Sequence, residues 1–321
     1  MEKPTNLMLR QAAQLFPDEE SEQIAFLNSL VNPEDRKYRA VIWTKPEAKD
    51  CADFSVRSGD EVPSWLPGQI SLLSPGESPG KSKLFEDGAI YPIDTSSVYT
   101  ASAMLAAVPP RRILDVCAAP GGKSLFADSV FNPEFIFSNE VVGKRLGILR
   151  YNLKKSGRPN FYTGNLDPAE LAEVAPEVFD LAIVDAPCSG QSLLAKGTEN
   201  PGCFHPNIIK GNAKRQLRIL SRSAQCVVAG GYLFYSTCTF ARRENEGAIE
   251  KFLKHHGEFT PVEVPHLGEF QSELCDFPCY RIYPHRRKGA GGFTCLLRKD
   301  GDHQELAEIP EKLQVYPVTS D

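Results

Sequence analysis

The stretch RILDVCAAPGGKS, residues 112–124, decides the fold of this 321-residue chain. Ile113 and Leu114 lead to Asp115, a proline and two glycines follow, and Lys123 and Ser124 enter what reads as a helix near 122–130. Glycines at such a turn let a ligand approach the backbone, and the free N–H groups of the helix start favour an anion. Downstream the rhythm repeats. EFIFSNE, PNFYTGN, DLAIVDAP and GGYLFYSTC read as short strands, with helices near 142–156, 206–229 and 243–256 between them. Strands alternating with crossover-length helices predict an α/β fold whose parallel sheet is covered on both faces. Such sheets bind ligands beyond the carboxyl ends of their strands, so DVCAAPGG, SNE, TGN, DAPC and STC should converge on one crevice.

Ahead of this region, residues 1 to about 30 read as two short helices broken at Pro17, YRAVIWT (38–44) as a strand, and 57–84 as loops dense in Pro, Gly and Ser. The expected division is a small α+β module over 1–84, a catalytic domain over 85–299, and an acidic, loose tail over 300–321. With 41% hydrophobic residues the chain can bury a large core. A formal charge of −5 excludes a globally basic nucleic-acid coat protein and leaves room for a local basic cleft. The apolar runs fall far short of the ~18–20 residues of a membrane span, and MEKPTNLMLRQAAQLF lacks a secretory core. A cytoplasmic monomer without a membrane partner is the expectation. Nine scattered cysteines then read as reduced thiols.

Three anionic ligands compete for the glycine turn. A nicotinamide dinucleotide wants G-x-G-x-x-G, which is absent, and a P-loop wants a glycine where Cys117 stands. The third is S-adenosylmethionine, held by Cys117, Ala118, Ala119, Pro120, Gly121, Gly122 and Lys123. Its ribose would find Glu140, 18 residues beyond Gly122 and close to the ~20-residue spacing that puts an acid on a ribose.

VCAAPGGKS, DAPCSG and YSTCTF, in this order and with NEVVGKRLGILRYNLKKSG between the first two, resemble the Nop/Sun family of RNA 5-methylcytosine methyltransferases. The similarity covers roughly residues 85–299, including GAIYPIDTSSVYTASAML, ENEGAIEKFLKHHGEF and RIYPHRRKGAGGF, and is weak over 1–84. It implies the class I, Rossmann-like methyltransferase sheet of seven strands with an antiparallel last strand, so YRIYP and GFTCLLR would close it. It also implies an RNA substrate: ribosomal RNA first, transfer RNA second, with a catalytically silent RNA-binding or assembly factor as the rival from another class. Asn165 stands where the family commonly has an aspartate, and would accept from the adenine amino group, with Asp167 the nearby substitute.

The chemistry of that family explains two thiols. Carbon 5 of cytosine attacks a methyl group only after sulfur adds at carbon 6 and an acid assists ring nitrogen 3. Spacing alone does not order the thiols. The resemblance implies Cys238 as the attacking thiolate, Cys188 as the aid to product release, and Asp185 as the contact to base and cofactor region. A thiol with pKa near 8.5 needs activation, for which Lys196, Arg242 and Arg243 are candidates. Cys51, Cys117, Cys226 and Cys295 read as small buried hydrophobes.

RNA contacts are expected from Lys196, Arg215, Arg286 and Arg287. Lys210, Lys214, Arg215, Arg218 and Arg222 recur at helical spacing, a face that either tracks phosphates or is simply solvated. A zinc set of Cys275, Cys279, His255 and His256 is rejected, because C-x-x-x-C without a second close pair is weak. Substrate choice is expected to rest on the N-terminal module or on a partner such as a ribosomal particle.

Overall fold

The computed structural model describes residues 3–33, 39–302 and 306–318. Two helices come first, α1 (Asn6–Leu15), capped by the Thr5 hydroxyl on the Met8 N–H, and α2 (Glu20–Val31), with Pro17 in the bend between them. Strand β1 (Arg39–Trp43) pairs antiparallel with β2 (Ile70–Leu72) on one side. The first residue of the expected strand, Tyr38, lies outside the described residues. A short helix, α3 (Lys83–Glu86), leads into β3 (Ile90–Asp94), which pairs antiparallel with the other side of β1, so this small sheet draws on residues beyond 84. Asp94 then caps α4 (Thr95–Ala101).

The main sheet follows: β4 (Arg112–Asp115), α5 (Gly122–Phe131), β5 (Phe135–Asn139), α6 (Gly143–Ser156), β6 (Phe161–Gly164), α7 (Pro168–Val174), β7 (Phe179–Asp185), α8 (Pro206–Cys226), β8 (Val227–Thr237), α9 (Glu246–His255), β9 (Phe259–Pro261), β10 (Tyr280–Ile282) and β11 (Gly292–Lys299). Its order is β10-β11-β8-β7-β4-β5-β6. The strands from β8 to β6 are parallel, and β11 runs antiparallel to β8 and β10. This is the class I methyltransferase arrangement, with the three-residue β9 added on β11 as an eighth strand.

Alternation along each strand supplies both faces. Ile113, Ile136, Leu181, Ile183 and Phe234 pack on one side with Leu125 and Phe126 of α5 and Leu149 and Leu153 of α6. Leu114, Phe137, Ala182, Val184 and Leu233 pack on the other with Ile219 and Leu220 of α8 and Ile249 and Phe252 of α9. Two covered faces explain why these strands read as continuous apolar runs.

Three expectations need correction. The helix expected to reach 229 ends at Cys226, because Val227 already pairs with Phe179, and a register shift lets Gly231 approach the Asp180 carbonyl where a Cβ would sit 2.9 Å away. The tail is not loose where described. Its Leu313 is buried, and the Tyr316 carbonyl and Val318 N–H bond the Thr163 N–H and Phe161 carbonyl at 3.0 and 2.8 Å, covering the free edge of β6. Cys226 and Cys295 are buried as expected, whereas Cys51 is exposed on a short 3₁₀ turn.

Candidate active site

β7 ends at Asp185 and β8 at Thr237, and the two are parallel neighbours with Asp185 opposite Ser236. The loops that leave them therefore run side by side. Ser236 Oγ donates to Asp185 Oδ1 at 2.5 Å, and the sulfurs of Cys188 and Cys238 lie 3.3 Å apart. Hydroxyls of Ser189 and Thr239 bond at 2.7 Å, and the Ser192 N–H donates to the Cys238 carbonyl at 3.1 Å. Glu244 and Asn245, both fully buried, brace the same loops. Glu244 Oε2 accepts from the Ser189 N–H and from Gln216 of α8, each at 2.9 Å; Asn245 accepts from Thr237 Oγ1 at 2.6 Å and donates to the Thr239 carbonyl at 2.9 Å.

The surroundings distinguish the two sulfurs. The Cys188 S–H holds the Cys238 thiol below its ordinary pKa, helped by the Lys196 charge and a hydrogen bond from Ser192, while burial and Asp185 oppose. Cys188 is pushed up by donating to Cys238, by burial and by Glu244. Cys238 is exposed though densely surrounded, and Cys188 is half-buried. The surroundings of Cys238 thus favour a thiolate more than those of Cys188 do.

The turn 117–123 lies at the end of β4. Gly121 has φ +116°, a backbone that side chains with a Cβ rarely adopt, and the N–H of Gly121 closes the turn on the Ala118 carbonyl at 2.7 Å. Arg145 and Asn152 of α6 donate to the Ala119 and Pro120 carbonyls at 2.5 and 2.8 Å. Lys123 is buried in the first turn of α5 with Nζ 3.5 Å from Asp185 Oδ2, so it ties the glycine turn to the thiol loops. Burial pushes the half-buried Cys117 thiol up, in keeping with a packing role.

Glu140, at the end of β5, is 2% exposed. Its Oε1 accepts from the Val142 N–H at 2.9 Å, whereas Oε2 has Arg145 Nη1 at 3.0 Å in ion-pair contact but not in hydrogen-bond alignment, leaving that oxygen without a donor. A buried carboxylate oxygen lacking a donor at this strand end suits ribose hydroxyls, so the residues present fit S-adenosylmethionine. Asn165 donates its amide to the Glu140 carbonyl at 2.6 Å, beside that site. Asp167 caps α7 on the Ala169 N–H at 2.9 Å and faces Arg218 at 3.7 Å, so it is otherwise engaged.

The family profile described as 16S rRNA methyltransferase RsmB/F matches residues 102–298. The chain belongs to this RsmB/F family. The resemblance expected from VCAAPGGKS, DAPCSG and YSTCTF holds at family level. Ribosomal RNA small subunit methyltransferase F of Serratia proteamaculans (strain 568) is 29% identical over 91% of this chain and 58% of its own length. The protein of that name from Escherichia coli O9:H4 (strain HS) is 31% identical over 72% of this chain and 49% of its own length. The chain thus spans about half the length of these relatives. Two solved structures share the fold, each with a TM-score of 0.75 and covering 93% of this chain. One is PH0851, 24% identical over 70% of its own chain, and the other is NSun6 from Pyrococcus horikoshii with SFG, 17% identical over 99% of its own.

Against this RsmB/F framework, Asp185, Cys188, Cys238 and Lys123 come together. Lys196 is exposed and shared with Asp94, 3.8 Å away. Arg215 is exposed on α8, and Arg287 is exposed in the turn between β10 and β11. Arg286 pairs with Glu22 of α2 at 3.5 Å, and Arg242 is turned to Glu250 at 2.6 Å rather than to Cys238. His256 stacks on Phe252, and no group of three or more potential metal ligands occurs among the described residues. Glu244, Asn245, Ser236 and Asp94 escaped the sequence reading. Each sits within or beside a quoted motif, but bracing contacts leave no periodic signal.

Proposed function

We propose that this chain transfers a methyl group from S-adenosylmethionine to carbon 5 of cytosine in RNA, ribosomal RNA first among substrates, through a cysteine adduct at carbon 6. The observation that carries the proposal is the pair of sulfurs 3.3 Å apart, unequal in their surroundings, next to the Asp185 carboxylate. Acceptor oxygens and amines need no adduct and no paired thiols.

The Cys238 thiolate adds to carbon 6 of a base taken out of its stack while a proton passes from the Asp185 carboxyl group to ring nitrogen 3, to return when the adduct breaks down; Lys123 holds that side chain in place. Carbon 5 then has enamine character. S-adenosylmethionine, when bound, supplies an electrophilic methyl group at its sulfonium. Residues 117–123 would hold its methionine end, Glu140 its ribose and Asn165 its adenine edge. Val141 and Val142, both exposed beside Glu140, offer that base an apolar wall. After transfer, water takes the carbon 5 proton as the carbon–sulfur bond breaks, Cys238 leaves as a thiolate, and the Cys188 S–H, 3.3 Å away, donates to the departing sulfur.

The test is nucleoside analysis of small-subunit ribosomal RNA after incubation with the purified chain and methyl-labelled S-adenosylmethionine. The label is expected on 5-methylcytidine; label on another nucleoside, or unchanged labelling when both thiols are serine, overturns the proposal.

A further inference from the structure

Residues 238, 239 and 240 are each bonded to the loop that follows Cys188: Cys238 through the Ser192 N–H, Thr239 through Ser189, and Phe240 by donating its N–H to Gln191 Oε1 at 3.0 Å. Gln191 is fully buried, and its amide is saturated. Its Nε2 donates to the Cys203 carbonyl at 3.1 Å and to Gln11 Oε1 at 3.0 Å, while its Oε1 also accepts from Gln11 Nε2 at 2.6 Å. Two donors and two acceptor sites are all that an amide has, and the Phe240 N–H and Cys203 carbonyl permit one orientation only.

Gln11 belongs to α1, 180 residues away in sequence. It is buried on the face that carries Met8, Ala12 and Leu15, which pack with Phe26, Phe204, Phe240 and Tyr283 in one cluster. A polar side chain on that face costs stability unless its partners are specific. Here they join the N-terminal helices to the turn that carries the nucleophile. We infer that Gln191 is a positioning residue for Cys238, and that Gln11 locks it. Seating of α1 thus sets the distance and alignment between the sulfurs of Cys188 and Cys238. This rests on the proposed thiol chemistry, but its consequence for sulfur reactivity is measurable without RNA.

The experiment uses the full chain, wild type and the variants Gln191→Leu and Gln11→Leu. Iodoacetamide labelling of Cys238 is followed by peptide mass spectrometry from pH 6 to 10, together with kcat and KM for methylation. Gln191→Leu is expected to slow labelling at pH 7 by about tenfold, to move its pH profile upward, and to lower kcat with KM for RNA changed by no more than about twofold. Gln11→Leu leaves the acceptor for the Phe240 N–H and should slow labelling by about threefold; it carries the test alone should Gln191→Leu not fold. An unchanged Cys238 profile in folded Gln191→Leu or Gln11→Leu overturns the inference. Loss of methylation at carbon 5 in the wild type would instead overturn the reaction proposed, leaving the labelling result to stand.

Discussion

At the scale of residues, two sulfurs 3.3 Å apart sit in unequal surroundings. Cys238 is held down chiefly by the Cys188 S–H and secondarily by the Lys196 charge, so its thiolate forms at lower pH than that of an ordinary cysteine near 8.5. Lys196→Met removes one of these supports. The ascending limb of the rate–pH profile is expected to move upward in that variant, and an unmoved limb would dismiss Lys196 as an activator. Asp115 offers a second titration. It is fully buried at the end of β4, with the Ser124 hydroxyl on Oδ2 at 2.7 Å, and burial pushes its pKa up to about 7. Because the folded value lies above the unfolded one, its stabilising contribution is complete below pH 3.8 and is lost as the pH rises through about 7. The loss amounts to at most about 4 kcal/mol. Melting temperatures between pH 5.5 and 8 should fall more for the wild type than for Asp115→Asn. The thiols, Glu140 and Asp185 were legible because each ends an apolar run, whereas Asp115 reads simply as the last residue of a strand and discloses its burial only in the fold.

At the scale of elements, the turn after β8 is held from below. Arg281 of β10 and Glu246 of α9 form a fully buried bidentate pair at 2.5 Å, and Arg281 also donates to the Phe240 carbonyl at 3.0 Å, two residues beyond Cys238. Removing one partner strands the other charge inside. Glu246→Ala is expected to cost about 3–5 kcal/mol, read as a lower denaturant midpoint, and an effect below about 1 kcal/mol would show the pair to be dispensable. Strand and helix types along β4 to β8 followed from apolar runs and their spacing. The short α7 carries a cap, Asp167, and a first-turn proline, Pro168, but its seven residues are too few to show a helical period in the sequence. Nothing local foretold that Val227 and Val228 would extend β8 at the expense of α8, since pairing with β7 decides it.

At the scale of the whole molecule, the RsmB/F sheet gathers the strand ends into one site while α1 and α2 seat on the loops beside it, Phe26 edge-on to Phe240 with centroids 5.1 Å apart. That seating was invisible in the sequence, because the helices' partners lie some two hundred residues away. Exposed Lys214 and Arg215 sit on α8 next to Gln216, which bonds the Pro187 carbonyl at 3.0 Å, so this basic face adjoins the scaffold of the thiols. Reversing both charges should weaken RNA binding and reduce the slope of log affinity against log salt by about 2; an unchanged slope would make the face merely solvated. The central claim concerns which sulfur bonds to the base. The Cys188→Ala chain, incubated with ribosomal RNA and S-adenosylmethionine, then digested and mapped by mass spectrometry, should carry a nucleotide on the peptide containing Cys238. A nucleotide on any other residue, or methylation that persists with no adduct when Cys238 is replaced, would contradict the account.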